Sequence, residues 1–597
     1  MSGSTMTGPT GTAPSGSPWV LRDYALIADG ERGALVDPRG QIAWLCAPAW
    51  HSGAVFSGLL GGPGRYRVCP SDSWNVWGGY YEDGTLIRVS RWVTTDSIVS
   101  CREALAVPAD RARVVLLRQI RAVRGDARVD VELDVRGDYG LQPMSGVGRD
   151  GGLWRARTGP LHVRFTGAEQ AQPGRDGALR AQLRLPEGSR RDLVLEIATA
   201  PQEAPLQPQV LWEATERWWA TAVPDCDDTA APRDTRMAYA VLNGMTSRTG
   251  GMVAAATTSL PERAGTDRDY DYRYAWVRDQ CYACIAVATH GPHSLLNRAV
   301  RFVSERILED GTHLRPAYTL TGEPLPPESS LPLVGYPGGS DRTGNRAGHQ
   351  FQLDVFGEAL QLYAAAARLG GLDAQAAKAA DIAAEAVAEF WAAPDAGLWE
   401  LDRRWWTHSR LCCVVGLRDL ARETHVPAAR EWSRLADRIL DATRSRCLHP
   451  DGHWQRAADD SGPEAALLLP LARGAVPSGD HSLALTRAEV VRHLTDDGYV
   501  YRFRHGDRPL GEEEGAFLLC GFMMALAAHA QGQGTEAVRW FERTRSTCGP
   551  PGLYAEEFDV AQRQLRGNLP QGFVHALLLE CSARLGSAEG AVSPAGR

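Results

Sequence analysis

The chain has 597 residues, 44% hydrophobic and 23% charged, with a formal net charge of −8. That length exceeds one small core and predicts two domains of ordinary globular composition. The acidic balance argues against a phosphate-backbone partner, because nucleic-acid binders carry basic stripes, and it suits a neutral ligand such as a sugar.

Residues 1–18 (MSGSTMTGPTGTAPSGSP) are rich in Gly, Ser, Thr and Pro, with no apolar core or basic start. They predict a disordered tail rather than a signal peptide. From about 20 to 200 the period is two. VDVELDV (129–135), LHVRF (161–165), LRAQLRL (179–185) and DLVLEI (192–197) alternate apolar and polar residues between Gly, Pro and Asp clusters. That pattern predicts antiparallel strands, and their number favours a β-sandwich over 19–205. LWEATERWWATAV (211–223) reads as a helix and PDCDDTAAPRD (224–234) as a polar connection, giving a helical linker over 206–235. Helical stripes then dominate 236–586, among them 354–370, 374–393, 429–448, 515–532, 536–549 and 573–586. Most end in Gly or run into Gly, Pro or Asp. Repeated helical hairpins fit either a solenoid or a closed toroid, and periodicity does not separate the two. Residues 587–597 read as a second disordered tail.

No run of 18 apolar residues occurs, so no membrane-spanning helix is expected. The twelve cysteines are scattered, many in apolar runs, and predict reduced, buried thiols in a cytoplasmic protein. Cys281-x-x-Cys284 has no second pair to complete a zinc site and reads as helix core.

Two segments carry chemistry. DAGLWELDRRWWTHSR (395–410) and GLYAEEFDVAQRQLRGNLPQGFVH (552–575) each set a carboxylate beside aromatic and hydrogen-bonding groups. Two carboxylates across a sugar bond are the minimum for glycoside hydrolysis; in the inverting form a gap of roughly 6.5–9.5 Å admits the attacking water. Glu400 lies between Trp399 and the Trp405–Trp406 pair, and such apolar neighbours raise a carboxyl pKa, as an acid requires. Glu556, in a more polar run with Glu557 and Asp559, suits a base. The competing reading is two surface carboxylates on loops. YDYRYAWVRDQ (270–280) adds Arg278 and Asp279 among aromatics.

The blocks DYALIADGERGALVDPRGQIAWLC, AATTSLPERAGTDRDYDYRYAWVRD, GYPGGSDRTGNRAGHQFQLDVFGEAL, AGLWELDRRWWTHSRLCCVVGL, GEEEGAFLLCGF and GLYAEEFDVAQRQLRGNLPQGFVH follow one another in the chain. In content and order they resemble glycoside hydrolase family 15, the glucoamylases, glucodextranases and actinobacterial and archaeal α,α-trehalases, over roughly residues 20–585. The resemblance implies a β-sandwich followed by an (α/α)6 barrel, and single-displacement hydrolysis with inversion that releases β-glucose from a non-reducing end. It implies Glu400 as general acid and Glu556 as general base, with Glu557 the fallback. Arg278 and Asp279 would grip the terminal glucose hydroxyls, Trp276 and Trp399 would wall the pocket, and Glu513 or Glu514 would bind or support from the same barrel face. His408 and His575 are expected to be structural or to stand behind the pocket.

Two departures bear on the second sugar: Ser340, Asp341 and Arg342 occupy a loop where many relatives carry an aromatic or basic run, and Leu401 follows Glu400 where fungal glucoamylases have a second carboxylate. The substrate expected is a disaccharide or small oligosaccharide, with a lean to trehalose over maltodextrins and α-1,6 glucans. An inactive sugar-binding or regulatory barrel would be favoured by loss of either carboxylate, and both are present. No cofactor is implied, no ligand cluster for a catalytic metal is found, and no nucleic-acid or membrane partner is expected. Oligomeric state is unmarked in the sequence.

Overall fold

The computed structural model describes residues 18–477 and 479–590. Of the tails expected at 1–18 and 587–597, residues 1–17 and 591–597 lie outside the described residues.

The first half is all antiparallel. One sheet has eight strands, in the order Ser145–Asp150, Leu153–Thr158, Leu161–Thr166, Arg190–Ala198, Arg113–Arg124, Ile98–Leu105, Arg88–Val93 and Val76–Tyr81. A second sheet orders Gln172–Pro173, Leu179–Leu185, Ala127–Asp134 and Arg65–Pro70. Alternation decides what lies between them. Val129, Val131 and Leu133 share one buried core with Leu179 and Leu183, and with Leu116, Ile120, Phe165 and Leu195 of the larger sheet. The odd residues of strand Arg113–Arg124, Val115 and Leu117, point the other way, into the helical domain's core. The eight-stranded sheet is therefore covered on both faces there, and the strand starts as a continuous apolar run rather than an alternating one.

Thirteen α-helices occur among the described residues: α1 (Pro208–Ala222), α2 (Pro232–Met245), α3 (Val277–His290), α4 (Ser294–Asp310), α5 (Asp354–Arg368), α6 (Ala374–Phe390), α7 (Thr407–Glu423), α8 (Ala429–Cys447), α9 (Leu468–Ala472), α10 (Ser482–His493), α11 (Leu518–Ala530), α12 (Gly534–Arg545) and α13 (Gly572–Gly590). Helix α13 runs four residues into the expected C-terminal tail.

The contacts close a ring. α3 packs on α5, α5 on α7, α7 on α9, α9 on α11, α11 on α13, and α13 on α3. Each ring helix carries an outer partner: α4 on α3, α6 on α5, α8 on α7, α10 on α9, α12 on α11 and α2 on α13. This is an (α/α)6 barrel, which settles the toroid over the solenoid. Inner and outer helices differ in composition. α8 buries Trp432, Leu435, Ala436, Ile439 and Leu440 along one stripe, whereas α11 is buried from Leu518 through Ala528 on every face. Cys281 and Cys284 are both buried in α3.

Arg273 ties the two halves. Fully buried, it holds Asp271 through two bonds of 2.8 and 2.7 Å and donates to the Ser52 carbonyl of the β-rich half at 3.2 Å. It also donates to Thr343 Oγ1 at 3.0 Å, while Asp271 accepts from the Gly344 amide at 3.0 Å. The barrel loop around 342–345 thus hangs on a cation seated between the halves.

Candidate active site

The loop carrying Glu400 is built around Asp395. This fully buried carboxylate accepts from the backbone amides of Leu353 and Gly397 and from Ser409 Oγ, at 3.2, 3.1 and 2.8 Å, and pairs with Arg410. The turn closes with Glu400 N–H donating to Gly397 O at 3.2 Å and Leu401 N–H to Ala396 O at 3.0 Å. Glu400 itself has φ +58°, a left-handed conformation uncommon for a residue with a Cβ. Trp276 Nε1 donates to Glu400 Oε1 at 2.7 Å and Gln352 Nε2 at 3.3 Å, with an Arg278 guanidinium nitrogen at 3.6 Å.

The expectation that flanking tryptophans desolvate Glu400 is corrected. Its side chain is 25% exposed. Trp405 lies beneath the guanidinium groups of Arg410 and Arg446, and Trp406 Nε1 is turned to Asp402 O at 3.2 Å. Trp399 packs edge-on to Phe517, at 5.1 Å between centroids, with Arg502 over its ring.

Glu556 reverses its expectation too. It precedes the short strand Glu557–Asp559, which pairs with Ala516–Phe517 on one side and Gln564–Arg566 on the other. Successive side chains in extended backbone point oppositely. Glu556 faces the cavity, while Glu557 turns away and accepts the Gly515 amide at 2.7 Å. Although its sequence neighbours are polar, Glu556 is only 4% exposed. Burial first, and the charge of Glu262 second, push its carboxyl well above the usual range, against the pull of Arg502, Tyr272 and Arg268. Gly567 allows this packing, since a Cβ there would stand 2.9 Å from Glu556 Cβ.

Arg278 and Asp279 occupy the first turn of α3, both buried. Arg278 donates to Gln352 Oε1 at 2.6 Å and lies 3.4 Å from Asp354. Burial pushes Asp279 up to about 7, opposed by the Arg278 charge. Trp276, Arg278, Asp279, Trp399, Glu400 and Glu556 line one cavity of about 420 Å³. The mouth takes Asp267, Glu328, Arg342, Arg346 and Leu401. Of the three departing loop residues only Arg342 reaches the cavity, paired with Asp267. Ser340 turns to Asp269, and Asp341 bonds the Leu331 and Leu333 amides.

Of the two roles expected for Glu514, binding or support, its place fits support. It lies outside the lining, paired with Arg502 and with Arg268 at 3.4 Å. Burial works to raise it, but the Arg502 charge and the bond from His505 outweigh that and hold it at about 2. Glu513 pairs with Arg508. His408 and His575 lie outside the cavity; burial lowers them to about 3 and about 4, so both are neutral.

Sequence reasoning missed Glu262, Arg268, Tyr272 and Arg502. All four line the cavity, and Arg268 holds Glu262 at 2.7 Å. The first three fall inside the block AATTSLPERAGTDRDYDYRYAWVRD that ends in Arg278 and Asp279, a usable signal; Arg502 had none. Neither trio of potential metal ligands among the described residues, Glu358–His408–Cys412 and His449–Asp451–His453, lines the cavity. No described helix is long and apolar enough to cross a membrane.

A family model described as "Glycosyl hydrolases family 15" matches residues 237–583, and one described as "Trehalase-like, N-terminal" matches 16–217. The chain is 28% identical to a trehalase of Mycobacterium tuberculosis over 95% of its length and 90% of the relative's. It is 23% identical to a trehalase of Thermoplasma volcanium over 95% and 93%. Its fold resembles a bacterial glucoamylase crystallised with acarbose, with TM-score 0.67 and 12% identity, over 98% of this chain and 96% of that one.

Proposed function

Since the chain belongs to glycosyl hydrolases family 15, we propose that this glycoside hydrolase cleaves α,α-trehalose by single displacement with inversion. The observation that carries the reading is that Glu400 and Glu556, far apart in sequence, line one cavity together with Arg278 and Asp279. Relatives named trehalase across nearly the whole chain favour the disaccharide. The likeness to a glucoamylase is one of fold.

Glu400 is the acid. Trp276 and Gln352 both donate to Oε1, which leaves Oε2 to carry the proton given to the leaving oxygen. Its partial exposure lets it regain a proton from solvent. Glu556 is the base. Water attacks the anomeric carbon, its oxygen forming the new bond as the glycosidic bond breaks, and its proton passes to Glu556. Protonating Glu556 relieves the repulsion it shares with Glu262, so the buried cluster drives the transfer it must accept. Arg278 and Asp279 supply a donor and an acceptor to the terminal sugar's hydroxyls. Glu556 then gives its proton to solvent and Glu400 takes one back, and the step needs no cofactor.

We place the enzyme in a reducing compartment such as the cytoplasm, because all twelve cysteines are free and ten are buried. A proton NMR time course on trehalose, maltose, maltotetraose and isomaltose tests the reading. From trehalose, β-glucose from the attacked ring and an equal amount of α-glucose from the leaving ring are expected at once. Faster release from maltotetraose would make the enzyme a glucoamylase, and α-glucose without β-glucose from trehalose would refute inversion.

A further inference from the structure

The chain leaving α8 folds back at His449-Pro450-Asp451-Gly452-His453. His449 N–H donates to His453 O at 2.9 Å and Gly452 N–H to His449 O at 2.8 Å, with Gly452 at φ +88°. The turn stacks the two imidazoles, 4.4 Å between centroids and 20° between planes. Asp451 Oδ2 lies 3.3 Å from His449 Nδ1. Two donors on one tetrahedral ion at zinc–ligand lengths stand about 3.4 Å apart, so this pair already has a chelating separation. One ligand atom from each of the three residues lies within 4.8 Å of the others.

The turn is fixed by α10. Trp454 donates through its amide to Thr486 Oγ1 and through Nε1 to Ser482 Oγ, both at 2.9 Å. Glu489 of α10 is paired with Arg492 and His493, each at 3.2 Å.

We propose that His449, Asp451 and His453 form a site for one divalent transition-metal ion of the zinc class, with the fourth position open to water. Two imidazoles and a carboxylate favour zinc, nickel or copper over calcium or magnesium. The site stands apart from the cavity, so it staples the turn after α8 and takes no part in hydrolysis.

The test uses the untagged full chain. Zn²⁺ titration against a chromogenic chelator should give one ion per chain, and Co²⁺ should develop visible absorption bands of a low-coordinate site. His449→Ala/His453→Ala should abolish both, and Asp451→Asn, an exposed change that spares folding, should weaken binding at least about tenfold. Trehalose turnover should be the same with and without Zn²⁺ at the site's saturation. No saturable binding, or unchanged binding in these variants, would overturn the proposal; the latter would move the ion to the buried Glu358–His408–Cys412 trio.

Discussion

Glu556 works in a pocket that resists its charge. Folded-state burial and Glu262 raise its pKa, and the base must be ionised to act. Activity should therefore fall as pH drops through a value above the ordinary carboxylate range. Glu262→Gln removes the second of the two causes, so the acid limb of kcat/KM should move to lower pH; a limb that stays put would separate Glu262 from the base. Glu556→Gln should cut turnover by roughly 10²–10⁴-fold. Glu557→Gln should stay within about tenfold of the parent by that scale, because its carboxylate serves the Gly515 amide. Asp279 offers a different trade. Its carboxyl, raised to about 7, favours the fold when protonated. That contribution is lost as pH rises from the unfolded value near 4 through about 7. Asp279→Asn should weaken trehalose binding yet raise thermal stability relative to the parent, more at pH 8 than at pH 5.

At the scale of elements, the loop bearing Glu400 depends on one carboxylate. Asp395 satisfies two amides and a hydroxyl and neutralises the buried Arg410. Asp395→Ala strands that guanidinium and should cost about 3–5 kcal/mol in denaturant unfolding, with turnover reduced as Glu400 loses its seat. The strands were legible wherever one face is solvent: Leu179–Leu185 was read to the residue from its alternation. The outer helix α8 was legible from its stripe. α7 was hidden because it buries the polar His408, Ser409 and Arg410 in its first turns, breaking the kind of unbroken apolar run that revealed α11. α9 was hidden because it spans only five residues and contains Pro470. The carboxylates themselves were legible by motif, but their environments were read backwards. Burial depends on residues remote in sequence, Glu262 and Arg502 among them.

At the scale of the molecule, the larger sheet uses both faces, one for the sandwich and one for the barrel. Sandwich and barrel should melt in a single calorimetric transition, and two resolved peaks would contradict a shared core. Arg273 joins that seam to the mouth of the cavity. Arg273→Ala leaves Asp271 buried without its partner and should cost about 3–5 kcal/mol. It should also raise KM by loosening the loop that carries Arg342, which a purely structural loss would not do.

The left-handed backbone at Glu400 has a consequence for descent. Gly and Asn occupy that conformation at less cost than Glu, so only the chemistry favours glutamate there. In a lineage that keeps this barrel but is released from hydrolysis, position 400 should drift to Gly or Asn before the supporting Asp395 changes. A glycine at this turn in a relative would then mark a retired enzyme that still folds.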